Sequence, residues 1–329
     1  MTTRVNVLAL NGAMAGSITG VKDLLSVANV IARRMNEASE PLFSVQIVSP
    51  DGAVVTTSSR CQILPDGGLE LVQPGDMLFC PAFMIPHPAD LDRAFVDWQP
   101  VLPWLREIAP QLAQVATNCS GAYLLAEAGL LKDGMATTAW WLCEDFRQRY
   151  PDVALDGNAL CVRSGHLITG AASSAYYDVV LAIVEQQAGK HFARLMAKYM
   201  MLDNQRRSQA PYAILTLFDS QDDLVSRAEQ WIRAHIAQDF RIEALASAMA
   251  VSPRTLIRRF QATLGESPQS FTQKLRIEKS KILLETTSLP FTDIVNRCGY
   301  ADESAFRRLF KRYCQLSPRE YRRRFSSAA

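Results

Sequence analysis

The apolar positions of this chain change period along its length. In the front part, short alternating or continuous apolar runs at residues 4–10, 43–49, 77–80 and 114–117 read as strands. Between them, runs at 21–33, 103–112 and 121–128 repeat every three to four residues, the spacing of one helix face, and Gly129 closes the last. Short strand–helix alternation predicts an α/β domain, a parallel sheet with helices on both faces, over residues 1–203. The period lapses through Asn204, Gln205, Arg206, Arg207, Ser208, Gln209 and Pro211, which predicts a linker at 204–220. From 221 to 329 only the helical period remains, predicting an all-α domain.

That helical region is written twice. Phe260 precedes Ser267-Pro268 and Phe271, and Phe310 precedes Ser317-Pro318 and Tyr321. Upstream of each anchor lies a basic amphipathic run, residues 252–260 and 302–310, with Leu256 and Phe260, or Phe306, Leu309 and Phe310, on one face and arginines on the other. Each run follows a short apolar helix and a turn. The first turn is Ala250-Val251, with Ser252 as N-cap and Pro253 at the first helical position; the second is Gly299, with Asp302 as N-cap. The pattern predicts two helix-turn-helix motifs, at about 242–263 and 291–313, whose second helices enter DNA major grooves. The segment 268–287, with Phe271, Leu275, Ile282 and Leu283 on one side, predicts a connecting helix of roughly 30 Å, close to the roughly 34 Å of one duplex turn. Base contacts fall to Arg254, Thr255 and Arg258 in the first copy and Ser304, Arg307 and Arg308 in the second, with Ser252, Arg259 and Lys311 completing the DNA-binding set. A solvated basic face is the plainer alternative, and the closing Arg322-Arg323-Arg324 reads either as a phosphate contact or as a frayed end.

Charge sharpens this division. The net charge of the 329 residues is +2, yet residues 221–329 hold 19 Lys+Arg against 12 Asp+Glu, leaving 16 against 21 for the front. A mildly acidic front and a basic back suit a sensor joined to a nucleic-acid binder. No apolar run is long enough for a signal peptide or a membrane span, so a cytoplasmic protein is expected. The seven cysteines are scattered without a C-x-x-C pair and read as reduced thiols, with no metal site.

Candidate chemistry in the front domain centres on Thr117-Asn118-Cys119-Ser120-Gly121, where a strand turns directly into a helix with a cysteine at the bend. Such a turn exposes a nucleophile beside helix N-terminal amides, which suits catalysis or simply anion binding. Cys119, Ser120, Trp140, Trp141, Ala171 and Ser173 form the candidate ligand site. The adjacent tryptophans offer an aromatic wall to a quaternary amine or amino acid, or simply core and rim. Apolar residues to spare at Leu195, Met196, Tyr199, Met200, Met201 and Leu202 predict a homodimer interface.

The back of the chain resembles the AraC/XylS transcription regulators, most clearly through Ile294, Gly299-Tyr300, Ser304, Phe306, Arg308, Phe310-Lys311 and residues 317–322. Residues 1–200 resemble the ThiJ/PfpI, glutamine-amidotransferase-like domain through residues 119–131, Ala136-Thr137-Thr138, residues 149–153, Thr169-Gly170-Ala171 and Asp178. Together they look like the GlxA-like branch of AraC regulators, with residues 208–212 resembling a degraded form of that branch's G-G-Q-A-Q-F. The resemblance implies a flavodoxin-like front domain and a regulator, commonly an activator, that binds double-stranded promoter DNA and RNA polymerase under control of a small-molecule effector, without a cofactor. After Ala136-Thr137-Thr138 the amidotransferase-like family places a histidine, and here Ala139 stands instead. Loss of the base argues against an enzyme; only His87, in the loop 80–88, is left to approach by folding. The alternatives are a cysteine-dependent amidase or peptidase using Cys119, and a front domain serving dimerisation alone.

Overall fold

The computed structural model describes residues 2–36, 40–85, 88–203, 206–215 and 222–326. The chain divides into two compact units, Met1–Gln209 and Ala210–Ala329.

The first unit runs β1 (Thr3–Leu8), α1 (Ala15–Asn36), β2 (Phe43–Val48), a small ladder of β3 (Val55–Thr56) and β4 (Gln62–Ile63), β5 (Met77–Cys80), α2 (Leu91–Trp98), α3 (Leu102–Ile108), β6 (Gln114–Asn118) and α4 (Gly121–Glu127). It continues with β7 (Met135–Ala136), α5 (Cys143–Arg149), β8 (Ala154–Leu155), β9 (Cys161–Ser164), β10 (Leu167–Gly170) and α6 (Tyr176–Tyr199). The main sheet has the order β2-β1-β5-β6-β10-β9, parallel except for the final β10–β9 pair. Helices cover both faces, so β5 and β6 are buried at every position and carry no polar alternation. The chain leaves β1 toward β2 on one side and returns to β5 on the other, and such a reversal opens a crevice at the strands' carboxyl ends.

Two features depart from the sequence reading. The edge hairpin β9–β10, turned through Gly165 at φ 59, is not legible as a buried run because only one of its strands is interior. Helix α1 begins at Ala15, six residues before its apolar period becomes clear, because Gly16 and Gly20 dilute the signal. Gly20 is needed there: a Cβ would stand 2.8 Å from the Tyr176 ring. Helix α6 breaks at Gly189 (φ 83, ψ 161) between the two segments that its apolar pattern separates.

The second unit is helical: α7 (Asp223–Ala234), α8 (Ile242–Ala248), α9 (Pro253–Leu264), α10 (Pro268–Thr286), α11 (Phe291–Arg297), α12 (Glu303–Cys314) and α13 (Pro318–Phe325). Side chains cap the helices, Ser252 and Asp302 as expected. Asp222 accepts the Leu224 and Val225 amides, Ser252 that of Thr255, Asp302 that of Ala305, and Ser317 with Glu320 closes a capping box. Two apolar cores result. One gathers Val225, Ile232, Leu245, Leu256, Phe260, Phe271 and Leu275, the other Ile277, Leu284, Ile294, Phe306, Phe310 and Tyr321. Helix α10 serves both from different faces, so its burial does not follow one stripe. Ile282, expected to point inward, is 57% exposed for that reason, and Leu283 is partly buried. The 19 residues of α10 span about 28 Å. Among the described residues no helix is long and apolar enough to cross a membrane.

Candidate ligand site and nucleic-acid interface

The crevice of the first unit is built where β1, β5, β6 and β10 end. Cys119 stands at the β6–α4 bend in the left-handed region, φ 55, its N–H bonded to the Gly170 carbonyl at 2.9 Å and its own carbonyl accepting the Thr138 hydroxyl at 2.8 Å. The bend needs Gly121, where a Cβ would lie 2.0 Å from Thr117 Oγ1 and 2.6 Å from the Pro81 carbonyl oxygen. Burial pushes the Cys119 thiol up to about 11, although the Ser120 amide and the Ser173 and Ser120 hydroxyls pull the other way. At neutral pH it is un-ionised, whereas a cysteine nucleophile acts as thiolate. Ala139, at the position where the resemblance calls for a base, is fully buried. His87 lies outside the described residues.

The other expected ligand residues separate. Ser120 is buried and engaged with the backbone, receiving the Phe83 N–H at 2.7 Å and donating to the Phe83 carbonyl at 2.8 Å. Its hydroxyl tethers the β5 loop while standing beside the Cys119 thiol. Ala171 is wholly buried in a small cluster with Leu160 and Ala175, which takes it off the crevice surface. Ser173 stays at the rim, half-buried, with its hydroxyl beside the Cys119 thiol. Trp140 and Trp141 are half-buried neighbours with ring centroids 5.3 Å apart at 83°, and Trp141 Nε1 donates to the Ile85 carbonyl at 3.4 Å.

Two contributors fall outside the expected set of ligand residues. Ser17 donates to Asn118 Oδ1 and accepts the Ala82 N–H, both at 2.9 Å, while Asn118 Nδ2 donates to the Ser173 carbonyl at 2.9 Å. This buried network ties the start of α1 and the end of β6 to the loops after β5 and β10 around Cys119. The second is Gln209, assigned by sequence to the linker. It belongs to the first unit, 2% exposed, with its amide inserted into the 137–140 and 157–159 loops.

In the second unit, α8–α9 and α11–α12 each form a helix-turn-helix. Their turns pass through Ala250 (φ 55) and Gly299 (φ 76). The outer face of α9 exposes Arg254, Ile257 and Arg258, and that of α12 exposes Ser304, Arg308 and Lys311. Arg254, Arg258 and Arg308 make no ion pair among the described residues, so their charge faces solvent.

The remaining expected DNA contacts have internal work. The Ser252 hydroxyl caps α9 and lies 2.9 Å from that of Thr255, placing both at the helix start in a capping role. Arg259, itself exposed, pairs with Asp222, the α7 N-cap, at 2.5 Å. Arg307 pairs with Glu303 and lies over the Phe291 ring at 4.8 Å. In the closing run, Arg322 donates to the Leu289 carbonyl at 2.6 Å and Arg324 lies over Tyr212 at 5.5 Å.

One residue holds the two motifs to the helix between them. Arg276 on α10 is 8% exposed, donates to the Gln238 carbonyl at 2.7 Å and lies near the Phe240 and Tyr300 rings at 5.8 and 5.0 Å. It joins the loop after α7 to the turn of the second motif.

Comparison with known proteins agrees with this division. The DJ-1/PfpI family matches residues 28–186, and a helix-turn-helix domain matches residues 245–324. The HTH-type transcriptional regulator CdhR of Pseudomonas aeruginosa is 26% identical over 292 residues, 88% of this chain and 84% of that protein. The HTH-type transcriptional regulator GbdR of the same species is 24% identical over 306 residues, 91% of this chain and 81% of that protein. In fold, Drosophila melanogaster DJ-1beta superimposes with a TM-score of 0.50 at 22% identity, covering 62% of this chain and all of that one. This chain thus joins a flavodoxin-like α/β domain of the DJ-1/PfpI type to an AraC-type helix-turn-helix domain, the two-part architecture of AraC-family transcriptional regulators such as CdhR and GbdR.

Proposed function

We propose that this protein is a sequence-specific transcriptional regulator whose second unit contacts two consecutive major-groove segments of promoter DNA and whose first unit is a non-catalytic sensor of a small molecule. The observation that carries the DNA-binding reading is the pair of capped helix-turn-helix motifs on one helix, each turning outward an arginine that makes no ion pair among the described residues. Arg254 and Arg258 on α9 are assigned to bases. Ile257 between them, 44% exposed and apolar, suits a thymine methyl. Ser304, Arg308 and Lys311 are assigned to the second groove segment and its phosphates, and Ser252, Thr255, Arg259 and Arg307 to holding the two recognition helices.

The sensor reading rests on the strand-end position of Cys119, with Ser173 beside its thiol and the half-buried Trp140 and Trp141 following Thr138, which holds the Cys119 carbonyl. The un-ionised thiol and the alanine at the position of the base support sensing over catalysis. An amino acid or quaternary amine fits the paired indoles. We further propose an activator that works with RNA polymerase as a homodimer formed through the end of α6, where Tyr199 and Met201 are 58% and 93% exposed.

Duplex selection from a genomic library with the full-length chain, followed by footprinting, tests the DNA reading: two protected segments about one helical turn apart are expected, and a single short footprint would refute the two-groove arrangement. A thermal-shift screen of amino acids and quaternary amines tests the sensor, with Trp140→Ala abolishing any stabilisation. Size exclusion giving a monomer at micromolar concentration would remove the dimer.

A further inference from the structure

We propose that residues 206–209 form a strap that responds to the state of the ligand site, with Gln209 as its positioning residue. The inference rests on the reading of the first unit as a sensor and adds the route by which sensing leaves it.

The strap is attached to both walls of the crevice. On one wall the Gln209 side chain accepts the Trp140 N–H at 3.0 Å and donates to the carbonyls of Thr138 and Gly157 at 2.8 and 3.0 Å. Thr138 in turn holds the Cys119 carbonyl. On the other wall Arg206 donates to the Asp178 carboxylate at 2.5 Å and to the Ser174 hydroxyl at 3.4 Å, one residue beyond Ser173. Between these anchors the backbone is stitched to residues 158–160. The Gln209 N–H and Ser208 hydroxyl donate to the Asn158 carbonyl at 2.9 and 2.8 Å, and Ser208 faces Ala159 across an antiparallel bridge.

The residue type matters. A primary amide of this length can accept one backbone N–H and donate to two carbonyls at once; a carboxylate could only accept, and a thioether of equal length does neither well. The amide is buried, so a lost partner is not replaced by water and carries the full desolvation cost. A compound that displaces Trp140 or Thr138 therefore breaks the set that holds the strap. Gln209 is the last residue of the first unit and Ala210 the first of the second. Release thus frees the segment that leads directly into the second unit, and a ligand favouring the released state shifts the population toward it.

The test uses the full-length chain without ligand. Iodoacetamide labelling, followed for each cysteine by mass spectrometry, reports on the wall; the Kd for a duplex selected by the parent chain reports on coupling. Gln209→Met, which keeps length and removes the hydrogen bonds, is expected to raise Cys119 labelling about tenfold with Cys80 unchanged, and to shift the Kd about fivefold or more. Arg206→Ala, which frees the other attachment, should give both changes. A disulfide between Ala159→Cys and Ser208→Cys, placed in the Gln209→Met background, should restore both. Unchanged Cys119 labelling would overturn the hold on the wall. Faster labelling with unchanged Kd in both variants would reduce the strap to a structural brace. Failure of the parent chain to select any duplex would instead remove the regulator reading beneath it.

Discussion

The two helix-turn-helix copies share a plan and differ in what they leave unoccupied. In the first, the turn uses Ala250 and the recognition helix α9 turns Arg254, Ile257 and Arg258 outward, with Arg259 tied to Asp222. In the second, the turn uses Gly299, whose added Cβ would stand 2.6 Å from the Ile236 carbonyl oxygen, and α12 has Arg307 held by Glu303 and Phe291. Arg312 there donates to Gln273 on α10 at 3.2 Å. A duplicated motif thus diverges by side-chain occupancy while its backbone is kept. The first copy keeps Arg254 and Arg258 exposed and outside any ion pair among the described residues, and the second uses part of its charge to fix itself to the rest of the unit.

The turns offer the largest break of this comparison. Gly299→Ala combines a strained φ with a clash against backbone and should cost about 2–4 kcal/mol of stability in chemical denaturation. Ala250→Gly should stay within about 1 kcal/mol of the parent, since relief of strain offsets added chain entropy. Similar losses at the two turns would erase the distinction drawn from Gly299.

Next come the arginines. Arg258→Ala should weaken binding to the selected duplex by about 1–3 kcal/mol and relax preference at one base pair. Arg308→Ala should instead weaken all duplexes alike and lower the slope of log K against log salt by about one. A base preference lost with Arg308 and kept with Arg258 would exchange the roles of the copies.

The smallest effect sharpens the first copy alone. Ile257→Ala removes apolar surface worth about 0.8 kcal/mol per buried methylene. It should abolish any difference in affinity between duplexes carrying thymine and uracil at the contacted position. A parent chain blind to that methyl would place Ile257 off the bases.

Legibility in the sequence tracked locality. Ser252, Gly265, Ser267, Asp302 and Ser317 act on residues a few positions away, so cap and turn chemistry reveals their roles directly. Arg259 looked like its arginine neighbours because its partner Asp222 is 37 residues distant. Ser120 looked like a ligand residue because Phe83, which occupies its hydroxyl, is equally remote in sequence, also 37 residues away. Gln209 sat in a stretch without period; the resemblance of residues 208–212 to a family motif marked it, but no local signal tells that its amide is buried among other loops.

The sequence by itself determined the strand–helix alternation of the front, the duplicated helix-turn-helix, the capped helix between its copies and the cysteine at a strand-to-helix bend. All of these follow from periodicity, steric preference and hydrogen bonds spanning a few residues. Only the tertiary structure decided which arginines remain outward, which hydroxyls near Cys119 are already engaged, that α10 serves two cores, and that the chain leaves the first unit through a buried amide. Those outcomes depend on partners brought together by folding, and a buried polar group takes whichever partner the packed loops present.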